Sequence, residues 1–365
     1  TADGVDRVGE AEPAPDLTAR PQDVPYAQAR AGIDWIRRVL PAAVALVLFV
    51  AALEVLRREL HSVTWQSLSA RALGTTPWLI AAAFLLTAIN YLVLSGYDFI
   101  ALASIGRRLP AARVGVTSFL AYAIANSVGL SMLSGASVRY RFYSRWGITG
   151  QQFSRVVISY SVTFWLGLLA LGGLTLVFSP LRTDLPLAQV GTMIGVALFA
   201  VSVAYVVAAA VRTRPITVNG FQLPLPSGRL ALLQLLLSSL DWVLAGAVLY
   251  VLLPRGAAPF TVVLSAFVAA QILGLAAHVP GGVGIFEGVI VLLLNPYMTS
   301  MQLAPALVAY RAIYYVAPLC VALIVLAVAE IRERRHHAAR LAAAIARAAQ
   351  RLAPRRVAPL AFVPG

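Results

Sequence analysis

Lysine is absent from the sequence, cysteine occurs once and histidine four times. A lone cysteine, Cys320 in an apolar run, excludes an intrachain disulfide and a cysteine-based metal site. His336 and His337 sit in a basic stretch without metal-ligand spacing. No glycine-rich nucleotide loop and no nucleophile triad is visible, so no cofactor, metal or catalytic residue is expected. Charge is scarce too, at 12% of residues, against 60% hydrophobic residues and a mean hydropathy of +0.81. A water-soluble domain needs far more polar surface, so the chain reads as an all-α integral membrane protein.

What charge there is carries one sign. The net charge is +14, with every basic residue an arginine, concentrated in loops and the C-terminal tail. That placement favours anionic lipid over nucleic acid, because the arginine runs flank hydrophobic spans. Residues 1–34 are rich in Pro, Ala and acidic residues, lack a signal-peptide apolar core and read as a disordered leader. Residues 35–180 and 181–330 form two membrane repeats, and 331–365 a basic amphipathic helix and linker suited to an anionic leaflet.

Eight apolar segments follow the leader: Val39–Leu56, Trp78–Leu102, Val114–Ser134, Phe153–Phe178, Ala188–Val211, Leu230–Leu253, Phe260–Leu294 and Leu303–Ala329. Most can cross about 30 Å of hydrocarbon as helices. Residues 57–76 read as an interfacial helix, and "ITVNGFQLPLPSG" as a small hairpin around Asn-Gly. The halves resemble each other: "VVISYSVTFWLG" aligns with "ALVAYRAIYYVA", placing Tyr160 on Tyr310, 150 residues on. "ANSVGL" aligns with "AQILGL", each followed by a small-residue break, "SGAS" and "PGGV". "LSGYD" matches "LAGAV" more weakly.

Arginine placement discriminates between topologies. Arg107, Arg108 and Arg113 precede the third segment, and Arg139, Arg141, Arg145 and Arg155 follow it. Both groups stay cytoplasmic if that segment dips in and returns. The same treatment of the seventh segment, broken at 278–284, leaves the arginine-free "NPYMTSMQ" loop outside and both termini cytoplasmic. The result is six crossings and two re-entrant hairpins in two inverted repeats, an arrangement with which transporters enclose a midplane site. Eight simple crossings is the plainer alternative.

The stretch "HVPGGVGIFEG" carries His278, Pro280, Gly281, Gly282 and Gly284 as a re-entrant turn. Proline removes a backbone donor and the glycines permit a tight turn, so the freed polar groups must be buried in protein or line a wet cavity. Glu287 falls on the first turn of the returning helix, where the helix N-terminus stabilises a carboxylate. Its plain role is a cap. His278 reads more as a partner of loop carbonyls than as a proton carrier. Asp98 and Asp241 lie inside spans, with Asn90 near the former. Asp98 is either functional or snorkelling near a helix end, and Asp241 is expected to pair with Arg311 in "YRAIYY". "SGASVRYRFYSRWG" interleaves Arg139, Arg141 and Arg145 with aromatics, which suits a lipid phosphate or ordinary interfacial anchoring.

These residues carry a resemblance. "SGASVRYRFYSRWGIT", "FWLGLLALGGL" and "HVPGGVGIFEGVI…ALVAYRAIYYVAP" resemble the transmembrane region of bacterial lysylphosphatidylglycerol synthase/flippases, the multiple peptide resistance factor family, over about Val39–Glu330. The resemblance implies a flippase module in the bacterial cytoplasmic membrane. Such a module moves aminoacylated phosphatidylglycerol, lysyl or alanyl, to the outer leaflet, which confers resistance to cationic antimicrobial peptides. It implies a second membrane module and a soluble transferase domain elsewhere, so synthase activity is not expected within these residues. The sequence ends at "APLAFVPG", read either as half of a longer phosphatidylglycerol lysyltransferase or as a single-module member. Partners are then anionic and aminoacylated phospholipid, a synthase module and further copies of the chain, without nucleic acid. Arg139, Arg141 or Arg311 would take the phosphate, and Asp98, Asp241 and Glu287 the amines, with Tyr314 beside them. A non-transporting lipid-docking scaffold and a small-solute permease are the rival readings.

Overall fold

The computed structural model describes residues 77–128, 131–178, 188–211, 216–218, 221–223, 226–277 and 282–331. The first apolar segment, the 57–76 stretch, the leader and the basic tail lie outside them. The helices are α1 (Pro77–Ser104), α2 (Ala111–Val128), α3 (Ser131–Tyr143), α4 (Gly150–Phe178), α5 (Ala188–Val211), α6 (Gly228–Leu252), α7 (Phe260–Ala276) and α8 (Ile285–Leu294). A last helix, α9, runs Ser300–Ile331. Strands β1 (Ile216–Val218) and β2 (Phe221–Leu223) pair antiparallel, Val218 opposite Phe221. That register leaves Asn219 and Gly220 between them, as the Asn-Gly signal predicts.

Among the described residues, five helices, Pro77–Ser104, Gly150–Phe178, Gly191–Val211, Gly228–Leu252 and Ser300–Ile331, are long and apolar enough to cross a membrane. At about 1.5 Å of rise per residue, 21 residues already span roughly 30 Å of hydrocarbon. Their outer faces keep large apolar side chains such as Leu92, Met193, Leu236 and Ile324 exposed, as lipid requires. The chain is therefore an all-α multi-pass membrane protein.

The other four helices form two hairpins, α2 against α3 and α7 against α8. With 13 residues in α3 and 10 in α8, their returning limbs reach only about 20 and 15 Å. Neither spans hydrocarbon, which favours paired re-entrant hairpins over eight simple crossings. The second turn breaks where the sequence predicts, with Gly282 (φ 62°) and Gly284 (φ 83°) in the left-handed region that glycine tolerates. His278, Pro280 and Gly281 lie outside the described residues.

The first hairpin differs from expectation. "SGAS" (134–137) is not its break: these residues are helical, inside α3. Their smallness serves packing instead. A Cβ on Gly135 would stand 3.3 Å from Ala125 Cβ and 3.5 Å from Ala121 O of α2, so glycine lets the two limbs close on each other.

Small residues also set the crossings. A Cβ on Gly167 would collide with Ser238, bringing α4 onto α6, and one on Gly195 would stand 2.8 Å from Gly173 O, bringing α5 onto α4. α1 packs along α6 and α6 along α4, with Trp242, Phe267, Phe286 and Tyr310 in one apolar core and Tyr97, Leu120, Tyr143 and Val156 in another. The halves also share a contact: Tyr91 Oη of α1 donates to Tyr314 O of α9 (3.4 Å), and Trp242 Nε1 of α6 to Phe164 O of α4 (3.3 Å). Positions 164 and 314 are those that the internal alignment equates.

In α9, Arg311–Val316 is wound as a π-helix, with Ala317 N–H reaching back to Ala312 O. Pro318 follows and has no N–H for the carbonyl of Tyr314 four residues earlier. The hydroxyl of Tyr91 supplies a donor there.

Two measurements test this architecture. In a Cys320→Ser background, cysteines at Arg108 and Ser144 should react with an impermeant maleimide from one side. Those at Arg255 and Asn295 should react from the other, whereas a full crossing by either hairpin splits its own pair. Gly195→Leu should lower thermal stability by about 1–3 kcal/mol through overpacking, while Gly191→Leu, in open space, should not.

Candidate functional site

Each polar centre starts from a side chain that an apolar helix cannot leave unpartnered. In the first, Asp98 near the end of α1 receives Arg139 of α3, Nε to Oδ1 and Nη2 to Oδ2, both at 2.8 Å. Tyr143, one turn on in α3, donates its hydroxyl to the same Oδ1 at 2.8 Å. The rings of Tyr122 and Tyr160 lie 4.3 and 4.4 Å from the guanidinium carbon. Asp98 is 0% and Arg139 1% exposed. Asp98 therefore does not snorkel, and Arg139 is not a surface anchor. The two charges neutralise each other in two-point geometry, and neither is free to take a lipid phosphate or amine.

The second centre lies between α1, α6 and α9. Asn90 Nδ2 donates to Asp241 Oδ1 (2.7 Å) and to Asp241 O (2.8 Å), and Tyr97 donates to Oδ2 (2.8 Å). Asn90 Oδ1 in turn accepts the hydroxyl of Tyr314 at 2.7 Å. The expected Asp241–Arg311 pair does not form. Its physical replacement is neutral: an amide and a phenol saturate the carboxylate from α1.

Arg311 belongs to the third centre. Its Nε donates to Glu287 Oε1 at 2.6 Å, while Glu287 Oε2 accepts the backbone N–H of Gly284 at 2.7 Å. Glu287 is the third residue of α8, so it caps its own helix and binds α9 together. Phe286 and Tyr315 flank the guanidinium, and Tyr310 stacks on both Phe286 and Tyr314. Glu287 keeps 28% of its side chain exposed, against 7% for Arg311.

Arg141, two residues beyond Arg139, points elsewhere and pairs with Glu330 at the end of α9 at 2.7 Å. It shares that end with Arg107, which donates to Gly147 O, and Arg113, which stacks on Trp146. Arg255 lies over Trp78 at the start of α1, the opposite end of that helix.

The three centres form one polar line. Asp98 and Tyr97 are neighbours in α1, and Tyr314 and Arg311 lie three residues apart in the π-helical turn. The line therefore runs from the returning limb of the first hairpin, through Asp241, to the returning limb of the second. Tyr97, Tyr143 and Glu330 were not legible as members. A tyrosine beside an intramembrane acid is the one signal that marks Tyr97 in advance, while nothing local ties Glu330 to Arg141 across 189 residues. Among the described residues, no group of three His, Cys, Asp or Glu is placed to hold a metal ion.

Comparison with known proteins places the chain among membrane proteins. A family model described as the lysylphosphatidylglycerol synthase TM region matches residues 38–322. An uncharacterized protein of Synechocystis sp., slr0712, is 36% identical over 82% of the chain and 94% of that protein. The inner membrane protein YbhN of Escherichia coli is 32% identical over 76% of the chain and 88% of that protein. A phosphatidylglycerol lysyltransferase of Staphylococcus haemolyticus is 26% identical over 78% of the chain but only 34% of its own length.

Asp98→Asn should leave Arg139 buried without its counter-charge and cost about 3–5 kcal/mol of stability in detergent unfolding. The paired change Asp98→Asn with Arg139→Met should recover most of that loss. An unchanged unfolding midpoint in the single variant would contradict the buried pair.

Proposed function

The chain belongs to the lysylphosphatidylglycerol synthase transmembrane-region family, and from that premise we propose that it translocates aminoacylated phosphatidylglycerol between leaflets. The carrying observation is a pair of partly exposed charges, Arg141 beside the first end of the polar line and Glu287 at the second, opposite in sign and each on a hairpin's returning limb. Arg141 of α3 is 20% exposed and pairs with a Glu330 that is 39% exposed, and Glu287 of α8 keeps more than a quarter of its side chain open. The substrate headgroup has the complementary charges, a phosphate and one or two ammonium groups.

In this reading the phosphate displaces Glu330 from Arg141, and an ammonium group competes with Arg311 for Glu287. Each exchange keeps a charge-assisted bond on Arg141 and on Glu287, while Glu330 is left partly exposed and Arg311 stays between the rings of Phe286 and Tyr315. Each also frees a hairpin from the last crossing helix, α9. The fully buried pair Asp98–Arg139 then holds the first hairpin in register while its Arg141 end opens, and the acyl chains stay in lipid.

Arginine clusters at the end that bears Arg107, Arg113 and Arg141, which by the positive-inside rule faces the cytoplasm. Loading from the inner leaflet of a bacterial cytoplasmic membrane follows, and YbhN is itself described as an inner membrane protein. The lipid would come from a transferase, whether joined to this chain or separate. Its display on the outer leaflet weakens attraction of cationic antimicrobial peptides.

Reconstitution in liposomes with lysyl- or alanyl-phosphatidylglycerol tests the proposal, with leaflet exposure read by an impermeant amine reagent. Wild type should transfer the lipid, and Glu287→Gln and Arg141→Gln should each slow it about ten- to a hundredfold, the worth of one hydrogen bond to a charged group at roughly 1.5–3 kcal/mol. Binding without transfer would instead identify a docking scaffold, and equal rates in all three proteins would remove these side chains from the path.

A further inference from the structure

Four acidic side chains lie within the described residues, and three of them face arginine: Asp98, Glu287 and Glu330. Asp241 is the exception. It is 4% exposed, in the middle of a crossing helix, and its hydrogen-bond partners are the neutral Asn90 and Tyr97. Among the described residues, the groups around it include no cation that is not already committed to another acid. Tyr91 and Tyr97 face it from α1, Tyr122 from α2 and Tyr314 from α9. Asp98 next to Tyr97 is committed to Arg139, and Arg311 next to Tyr314 to Glu287. The helices α4, α5 and α7 contribute Phe164, Tyr205 and Phe267 to the same helix, none of them charged. An ionised carboxylate so placed is costly in a bilayer, and intramembrane acids of this kind mark ion pathways.

The coordination selects the ion. A desolvated metal cation needs a shell of oxygen acceptors in place of its water. Asp241 meets the reverse: an N–H on Oδ1 and an O–H on Oδ2. A proton needs only one lone pair and one acceptor. When Oδ1 is protonated it must donate, and its neighbour Asn90 must turn its amide over to present Oδ1. The Asn90 Nδ2 then faces Tyr314, whose hydroxyl can no longer donate to Asn90. The protonation state of Asp241 is thus written into Tyr314, in the same π-helical turn as Arg311, the residue that clamps the second hairpin.

We infer that Asp241 is a proton-binding site whose loading is exchanged against lipid movement, one proton inward for each aminoacyl lipid carried outward. The proton binds Asp241 from the outer side and leaves to the cytoplasm, with no bond to any other reactant. For a lysyl headgroup, with two ammonium charges against one phosphate, this exchange is electroneutral. The exchange rests on the lipid-moving function proposed above; the proton site itself does not.

The full chain in liposomes, with membrane potential clamped at zero, separates the two. In wild type, one unit of pH difference should shift the steady-state leaflet ratio of lysyl-phosphatidylglycerol about tenfold, equivalent to about 1.4 kcal/mol. Asp241→Asn should hold the ratio at one. In lipid-free-of-substrate vesicles, infrared difference spectra should show a carboxylic C=O band growing as pH falls. The part of that band due to Asp241 should be present in wild type, Asp241→Glu and Tyr314→Phe and missing from Asp241→Asn, in which the bands of the other carboxyls remain. Tyr314→Phe, with the carboxyl intact but the relay cut, should keep the band and lose the gradient-driven shift. A ratio blind to pH in a wild type that still moves lipid would overturn the exchange, and so would a ratio that follows a sodium gradient. If no lipid moves at all, the proposed function fails and the infrared spectra alone decide the proton site; identical bands in wild type and Asp241→Asn overturn it.

Discussion

An ionised side chain inside hydrocarbon needs a counter-charge or a full set of hydrogen bonds, and much of this bundle is arranged around that demand. Asp98 and Arg139 meet it with two bonds between them, a third from Tyr143 and two aromatic faces over the guanidinium. A buried pair of this kind adds little net stability over well-packed apolar residues, but either half alone is strongly destabilising. Its consequence is register. Arg139 can satisfy Asp98 only with α3 at one depth beside α1, so the ion pair sets where the first hairpin sits.

The second hairpin is fixed by the same device with the charges exchanged. There the acid, Glu287, is on the returning limb and the arginine on the crossing helix. Glycines at 282 and 284 supply the backbone that lets α8 begin at Ile285, which in turn puts Glu287 where its second oxygen caps the helix. Each hairpin is thus tied to a crossing helix by one ion pair, the first hairpin supplying the cation and the second the anion. The π-helical turn of α9 joins the two, since it carries both Arg311 and Tyr314. Such bulges are frequent at functional sites because they place side chains that a regular helix would separate.

The relatives place this geometry in a wider setting. The match covers nearly all of the Synechocystis and Escherichia coli proteins but about a third of the staphylococcal lysyltransferase. A stretch similar to this chain thus occurs both as most of a protein and as a part of a larger one. A scaffold whose polar line is closed within itself is suited to either setting.

Apolar run length and turn chemistry are local, and from them the sequence alone determined the crossing helices, the broken seventh segment, the Asn-Gly hairpin and the glycine turn before Glu287. Each follows from contiguous residues: about 20 apolar positions make a span, and Gly282 and Gly284 make a turn, whatever packs against them. What only the tertiary structure decided was pairing. "SGAS" reads as a break until α2 is seen against Gly135, Arg139 reads as an interfacial arginine until Asp98 is seen 41 residues away, and Arg311 reads as the partner of Asp241 until Glu287 takes it. The physical reason is that an intramembrane charge accepts any partner its helix can be packed against. The choice among partners tens to hundreds of residues apart is made by helix crossing depth and rotation, which no local pattern encodes.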